Sequence, residues 1–252
     1  MLAAAVVVFT ANKLAEYGDI IAVRTGLGGR LQRAKASYET YLAFPSDTRF
    51  VDWGDGEMLI YPTVTLAHQE LVGFLLTLLA SYCEPLHLGH VMKGPFEVKL
   101  WPGGPSRTPD LLYIGPGRLA QLTNQRFEGG PDLVVEIVSP GSVREDKVRK
   151  FAEYEQAGVG EYWIIDSRPR QESAEFYRRD EAGIFQPIEI GEDGRVASTV
   201  LPRFWLNVDW LRRDRLPLAH AALADIFAAD DTFPAELSDL YRRLAALEQR
   251  AA

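Results

Sequence analysis

The sequence is poor in cysteine, has no sustained apolar run and carries no excess of positive charge. One cysteine in 252 residues, Cys83, excludes an internal disulfide framework and a zinc site built on thiolates. Cys83 sits in an apolar helical stretch, where it reads as a small core hydrophobe. No uninterrupted apolar run reaches the roughly 18 residues of a membrane-crossing helix, so no membrane span is expected. The opening residues, MLAAAVVVFTANK, are apolar but short, and no basic residue precedes the apolar run as a secretory signal requires. A cytoplasmic location is the resulting expectation. Lys and Arg total 27 against 35 Asp and Glu, a formal net charge of −8. That balance argues against a protein that coats nucleic acid by bulk electrostatics, although it leaves room for a small basic cleft.

What is present is an ordinary globular composition, 47% hydrophobic and 25% charged. The length suits one sizeable core with extensions. Residues 1–29 show no clean period and end in the break TGLGG; they are expected to form a loosely packed N-terminal segment. SYETYLAF (37–44) suggests a short helix. RFVDW and EMLIY flank Gly54-Asp55-Gly56, the pattern of a β-hairpin. LAHQELVGFLLTLLASYCE (66–84) carries Leu71, Leu75, Leu78 and Leu79 at helical spacing, with Thr65 as N-cap. FEVKLW, DLLYI, LVVEIV and EYWIID read as strands, and ESAEFYRR with IFQPIEI as an antiparallel meander. Residues 143–158 read as a helix closed by Gly158. Near the end, Leu237, Leu240, Leu244 and Leu247 mark one amphipathic helix. It is too short for a coiled coil, so packing on its own domain is preferred over a dimer contact. The order predicts a mixed α/β domain with one central sheet.

One residue stands out. In GGPDLVVEIVSPGS (129–142), Leu133, Val135 and Ile137 share one face of a strand, and Val134, Glu136 and Val138 share the other. Both faces are apolar, so the strand is central and covered on both sides. An unpartnered carboxylate there would cost several kcal/mol or hold its proton. A basic partner, a metal or an opening to a cleft would relieve it. Asp110, which opens the apolar strand DLLYI, supplies a second carboxylate. Two acids on neighbouring strands can converge on Mg²⁺, which takes one or two carboxylates and fills its shell with water and phosphate. Such a cation activates water and neutralises charge on a phosphodiester. Just after the strand, Lys147 falls among Val148, Phe151 and Tyr154 on the helical wheel, and Lys150 borders Tyr154. Either ammonium could reach inward. The competing reading is a solvated helix in which Asp146 and Lys150 form an i,i+4 pair.

TPDLLYI, then PDLVVEIVSPGS, then EDKVRKFAEYEQAGVGEYWIID together resemble the PD-(D/E)xK nuclease superfamily. Within it they resemble the bacterial Uma2 family of restriction-endonuclease-like proteins. The DGE hairpin (55–57), the helix with His68 and VLPRFWLNVDWL (200–211) fit the same pattern, and the likeness spans roughly residues 37–211. The resemblance implies a restriction-endonuclease-like α/β core, a central mixed sheet flanked by helices, over residues 30–211. Residues 1–29 then form an N-terminal extension and 212–252 a C-terminal helical one. It implies Asp110 and Glu136 as the acidic metal ligands. It further implies a lysine moved from the superfamily's position, here Val138, onto the following helix, where Lys150 matches. His68 matches a recurring family histidine. Asp132 reads as a turn residue and Trp163 as core. The implied function is a metal-dependent endonuclease hydrolysing DNA with Mg²⁺, or Mn²⁺ in its place. A homodimer is expected from the symmetry of duplex DNA. The alternative is an inactive member of the fold serving as a binding or regulatory module, suggested by Val138 and the acidic charge.

Overall fold

The structure, a computed structural model, describes residues 31–44, 51–61, 64–139, 142–168, 170–212 and 216–251. The expectation for residues 1–29 lies outside the described residues. In chain order the elements begin with β1 (Gln32–Lys35), α1 (Tyr38–Leu42), β2 (Val51–Gly54), β3 (Glu57–Ile60) and α2 (Leu66–Cys83). Then come β4 (His90–Lys93), β5 (Glu97–Lys99), β6 (Ser106–Arg107), β7 (Leu111–Ile114), β8 (Arg126–Glu128) and β9 (Leu133–Val138). A π-helical stretch, Glu145–Lys150, runs straight into α3 (Phe151–Ala157). The chain continues through β10 (Glu161–Asp166), β11 (Ser173–Arg179), β12 (Phe185–Pro187), β13 (Arg195–Ala197), β14 (Trp205–Asn207), α4 (Ala219–Ala228) and α5 (Ala235–Ala251).

Local signals explain several of these. The β2–β3 hairpin closes through Asp55 and Gly56, both at positive φ (53° and 74°). That is the backbone of a two-residue turn matching strand twist, and it explains the Asp-Gly pair. Thr65 caps α2, its side chain accepting from the His68 N–H. The cap that starts the helix therefore also fixes the backbone of His68. Gly158 ends α3 in the left-handed conformation (φ 80°).

The expected central mixed sheet flanked by helices is present but does not stand alone: the strands form two six-stranded sheets, ordered β1-β3-β2-β6-β5-β8 and β12-β11-β10-β9-β7-β4, with a β13–β14 pair besides. The division falls at Thr108-Pro109-Asp110, between β6 in the first sheet and β7 in the second. Proline has no N–H to give a ladder, so the chain leaves one sheet there and enters the other. Periodicity of such short strands gives faces but not partners.

In the second sheet, β9 is bracketed by parallel β10 and antiparallel β7. One face buries Leu111, Tyr113, Leu133, Val135, Ile137 and Trp163 under α2 and the C-terminal helices. The other buries Leu112, Val134, Val138, Tyr162 and Ile164 beneath Tyr154 of α3. Each such side chain contributes about 1.5–3 kcal/mol when withdrawn from water. By length and composition α2 is apolar enough to cross a membrane, but Leu71, Leu75, Leu78 and Leu79 pack into this core. Cys83 is buried with them. The tail helix α5 packs on the same body: the Tyr241 ring stacks 5.4 Å from Phe227, and its hydroxyl donates to the Ser81 carbonyl at 2.8 Å.

Candidate active site

The register between β7 and β9 pairs Leu111 with Val135 and Leu112 with Val134. Continued by one residue, it sets Asp110 opposite Glu136. The acids meet because one opens its strand and the other lies near the far end of its antiparallel neighbour. The Ile137 N–H donates to Asp110 Oδ2 at 2.7 Å. His68 Nε2 lies 3.2 Å from the same oxygen, at the N-terminal turn of α2. The helix following β9 delivers Lys150, whose ammonium is 2.9 Å from Glu136 Oε1. His68, Asp110, Glu136 and Lys150 line one small cleft with Tyr61, Thr108, Ser139, Ser142 and Asp146. All four residues that sequence singled out are thus brought together.

Lys147 is not among them. It points outward to Glu175 at 2.5 Å, and both side chains are substantially exposed. The i,i+4 partner of Lys150, Asp146, is present at 3.1 Å. Contrary to the solvated alternative, that pair is buried: Asp146 is 2% and Lys150 2% exposed. Asp132 serves the turn, accepting from the Gly115 N–H at 2.7 Å. Trp163 is fully buried.

Sequence reasoning missed several residues in and around the cleft. Asp52 on β2 stands 3.8 Å from the Lys150 ammonium and accepts from the Tyr61 hydroxyl at 2.7 Å. Its other oxygen accepts from the Thr108 N–H (2.7 Å) and hydroxyl (2.8 Å). Tyr154 donates to Glu136 Oε1 at 2.8 Å. The π-helical stretch shapes this arrangement; such turns are rare and concentrate at functional sites. It is held in place by Tyr162, whose hydroxyl donates to the Asp146 carbonyl at 3.0 Å. Beside the cleft, the buried guanidinium of Arg107 binds Glu153 through two 2.6 Å hydrogen bonds. Its Nη1 lies 3.7 Å from Asp52.

The charges do not balance. Three carboxylates, Glu136, Asp146 and Asp52, surround the one ammonium of Lys150. Burial opposes the charge on Lys150, but Glu136, Asp146 and Asp52 outweigh it and keep the ammonium protonated well above its ordinary range. Burial raises Glu136 well above the usual carboxylate range; Lys150 opposes this, and Asp146, Asp110 and Asp52 reinforce it. Burial likewise raises Asp146, against the pull of Lys150. Tyr61 and Tyr154 are pushed up by burial and by the neighbouring acid, so both remain neutral donors. The cleft therefore holds more acid than its own cations neutralise.

That donor set fits a hard divalent cation. Among the described residues Asp110 engages its neighbours through Oδ2 and Glu136 through Oε1, which leaves one oxygen of each for a cation. Asp146 Oδ1 is buried against the Lys150 ammonium at 3.1 Å. Also among the described residues, no group of three His, Cys, Asp or Glu side chains forms a preassembled metal cage. Mg²⁺ does not need one, since it keeps most of its waters and takes one or two carboxylates.

Residues 38–209 match the model of the Uma2 family, described as "Putative restriction endonuclease". No curated protein matches the chain. Among solved structures it is similar to a crystal structure described as a "putative nuclease belonging to DUF820" from Anabaena variabilis ATCC 29413. The TM-score is 0.56 at 17% identity, over 69% of this chain and 95% of that one. At that identity the likeness speaks for the fold. The family match covers the span that carries every residue of the cleft, and the chain belongs to the Uma2 family.

Proposed function

We propose that this protein is a Mg²⁺-dependent endonuclease that hydrolyses DNA phosphodiester bonds, with Mn²⁺ able to replace Mg²⁺. The observation that carries the proposal is the convergence of Asp110, Glu136 and Lys150 in one cleft. Asp110 and Glu136 would hold the cation, which when bound supplies Lewis acidity to a phosphate oxygen and a more acidic water. Lys150 directs positive charge at the same place, where it can orient the attacking water and offset charge gathering on phosphorus. His68 fixes the orientation of Asp110 through Oδ2. A cut across duplex DNA would call for two copies related by symmetry. The single cysteine suits a cytoplasmic protein.

The test is a titration of Mn²⁺ and Mg²⁺ into the wild type and Glu136→Gln, followed by heat, with cleavage of DNA and RNA substrates assayed alongside. The proposal expects metal binding and DNA cleavage in the wild type and loss of both in the variant. Cleavage that survives Glu136→Gln and Asp110→Ala would sink it.

A second reading has an observation of its own. The Lys150 ammonium is already held by Glu136 and Asp146 within 3.1 Å, and Val138 stands where the superfamily's lysine would be. A protein that kept the fold but lost catalysis, working as a binding or regulatory module, would keep such an ion pair. It predicts no metal binding in the wild type.

A further inference from the structure

We infer that Asp52 is the positioning residue of this site, one carboxylate that sets both its acid-bearing strand and its lysine; the inference rests on the nuclease reading above. Asp52 comes from the other sheet and is fully buried. Its two oxygens divide the task. Oδ1 accepts from the backbone N–H and hydroxyl of Thr108 at 2.7 and 2.8 Å. Only Pro109, with its fixed φ, separates Thr108 from Asp110. Holding Thr108 therefore sets where the β7 strand starts and where its first carboxylate stands. Oδ2 faces the other way: it accepts from Tyr61 at 2.7 Å and lies 3.8 Å from the Lys150 ammonium. The Tyr61 ring is itself under that ammonium, 4.9 Å from its centroid. Arg107, 3.7 Å from Oδ2, keeps the carboxylate compensated inside the protein.

A group that only fills space would not show this division. Thr108→Val removes a donor from the Oδ1 side alone. Tyr61→Phe removes one from the Oδ2 side alone. The expected result is a split: Thr108→Val weakens Mn²⁺ binding severalfold, through Asp110. Tyr61→Phe lowers kcat about tenfold, through Lys150, and leaves Mn²⁺ affinity within about twofold. Asp52→Asn, which keeps the shape and loses the charge, lowers both by about 10–100-fold. If Asp52→Asn folds and changes neither quantity, or if both single-sided variants move the same quantity alike, the inference is overturned. Should Asp52→Asn fail to fold, the two single-sided variants carry the test.

A wild type that neither binds Mn²⁺ nor cleaves nucleic acid would remove the nuclease reading but not the positioning one. That is then read from acylation of Lys150, mapped by mass spectrometry with Lys147 as the exposed control. Lys150 should be protected in the wild type and in Thr108→Val, and at least about tenfold more reactive in Tyr61→Phe and Asp52→Asn. Equal protection in all four proteins would overturn it.

Discussion

The ammonium of Lys150 lies 2.9 Å from Glu136 Oε1, and both residues are almost wholly inside the protein, 2% and 4% exposed. The pair is a lysine outnumbered by acids, because Asp146 and Asp52 share the same ammonium. Removing the lysine leaves Glu136 and Asp146 buried without their cation, while Asp52 keeps Arg107. Breaking a buried pair by deleting one partner costs about 3–5 kcal/mol. Lys150→Met, which keeps the stem, is expected to lose about that much stability in urea unfolding at neutral pH. The loss should shrink in acid, where the carboxylates take up protons, and on adding Mn²⁺. A loss that is the same at acid and neutral pH would contradict this account.

Glu136 gives a pH dependence of definite sign. Burial raises its folded pKa above the unfolded one. Such a carboxyl stabilises the folded state fully below the unfolded value, about 4.3. Its contribution is lost as pH rises through the raised value. Asp146 is raised in the same direction, and Lys150 stays charged throughout. The melting temperature of metal-free protein should therefore fall as pH rises from about 4 through the raised range of these carboxyls. Glu136→Gln should show a shallower slope, and at pH 8 it should melt no lower than the wild type. Calorimetry across pH with a chelator present measures both.

Much of this site could be read from the chain, for a physical reason. A strand alternates faces, so a carboxylate among Val134, Val135, Ile137 and Val138 is conspicuous without any coordinates. Helical spacing likewise brought Lys150 into view but left Lys147 as its equal. The helix's docking on Tyr162 and Glu136 decides between them, and that is a tertiary fact. Asp52 carried the same signal as Glu136, a charge inside VDW of a short strand, yet its importance depends on a contact between two sheets. No local period reports which strands of different sheets face one another. The short strands around Pro109 concealed the second sheet for the same reason.

The contrast between the two lysines gives a direct check. Lys147 pairs with Glu175 where both side chains are about a third exposed (29% and 36%). An ion pair of that kind contributes about 0–1 kcal/mol. Lys147→Ala should leave stability within about 1 kcal/mol and leave metal binding and cleavage at wild-type levels. Loss of cleavage in Lys147→Ala with retention in Lys150→Met would reverse the assignment.

His68 touches Asp110 rather than open solvent. Partners that orient a metal ligand, the role proposed for Asp110, typically account for 10–100-fold in metal affinity or activity. His68→Ala is expected to reduce Mn²⁺ affinity or cleavage by about that factor while α2 persists, because the Thr65 cap uses the backbone of residue 68 and not its side chain. Helical content by circular dichroism should be unchanged. A variant with full metal affinity and full cleavage would leave His68 no part in the site.

The tail helix separates packing from association. Tyr241 is buried against Phe227 and hydrogen-bonded to the Ser81 carbonyl, whereas Leu240 and Leu247 are 49% and 60% exposed. Truncating a large buried aromatic costs about 3–5 kcal/mol, so Tyr241→Ala should lower stability by an amount of that order. Substitutions of exposed residues usually stay within about 0.5 kcal/mol. Two outward leucines seven residues apart also fall short of the three to four heptads of a coiled-coil seam. The double variant Leu240→Ser/Leu247→Ser should keep both the melting temperature and the sedimentation coefficient of the wild type. A shift to a smaller species would instead assign α5 to the contact between two copies.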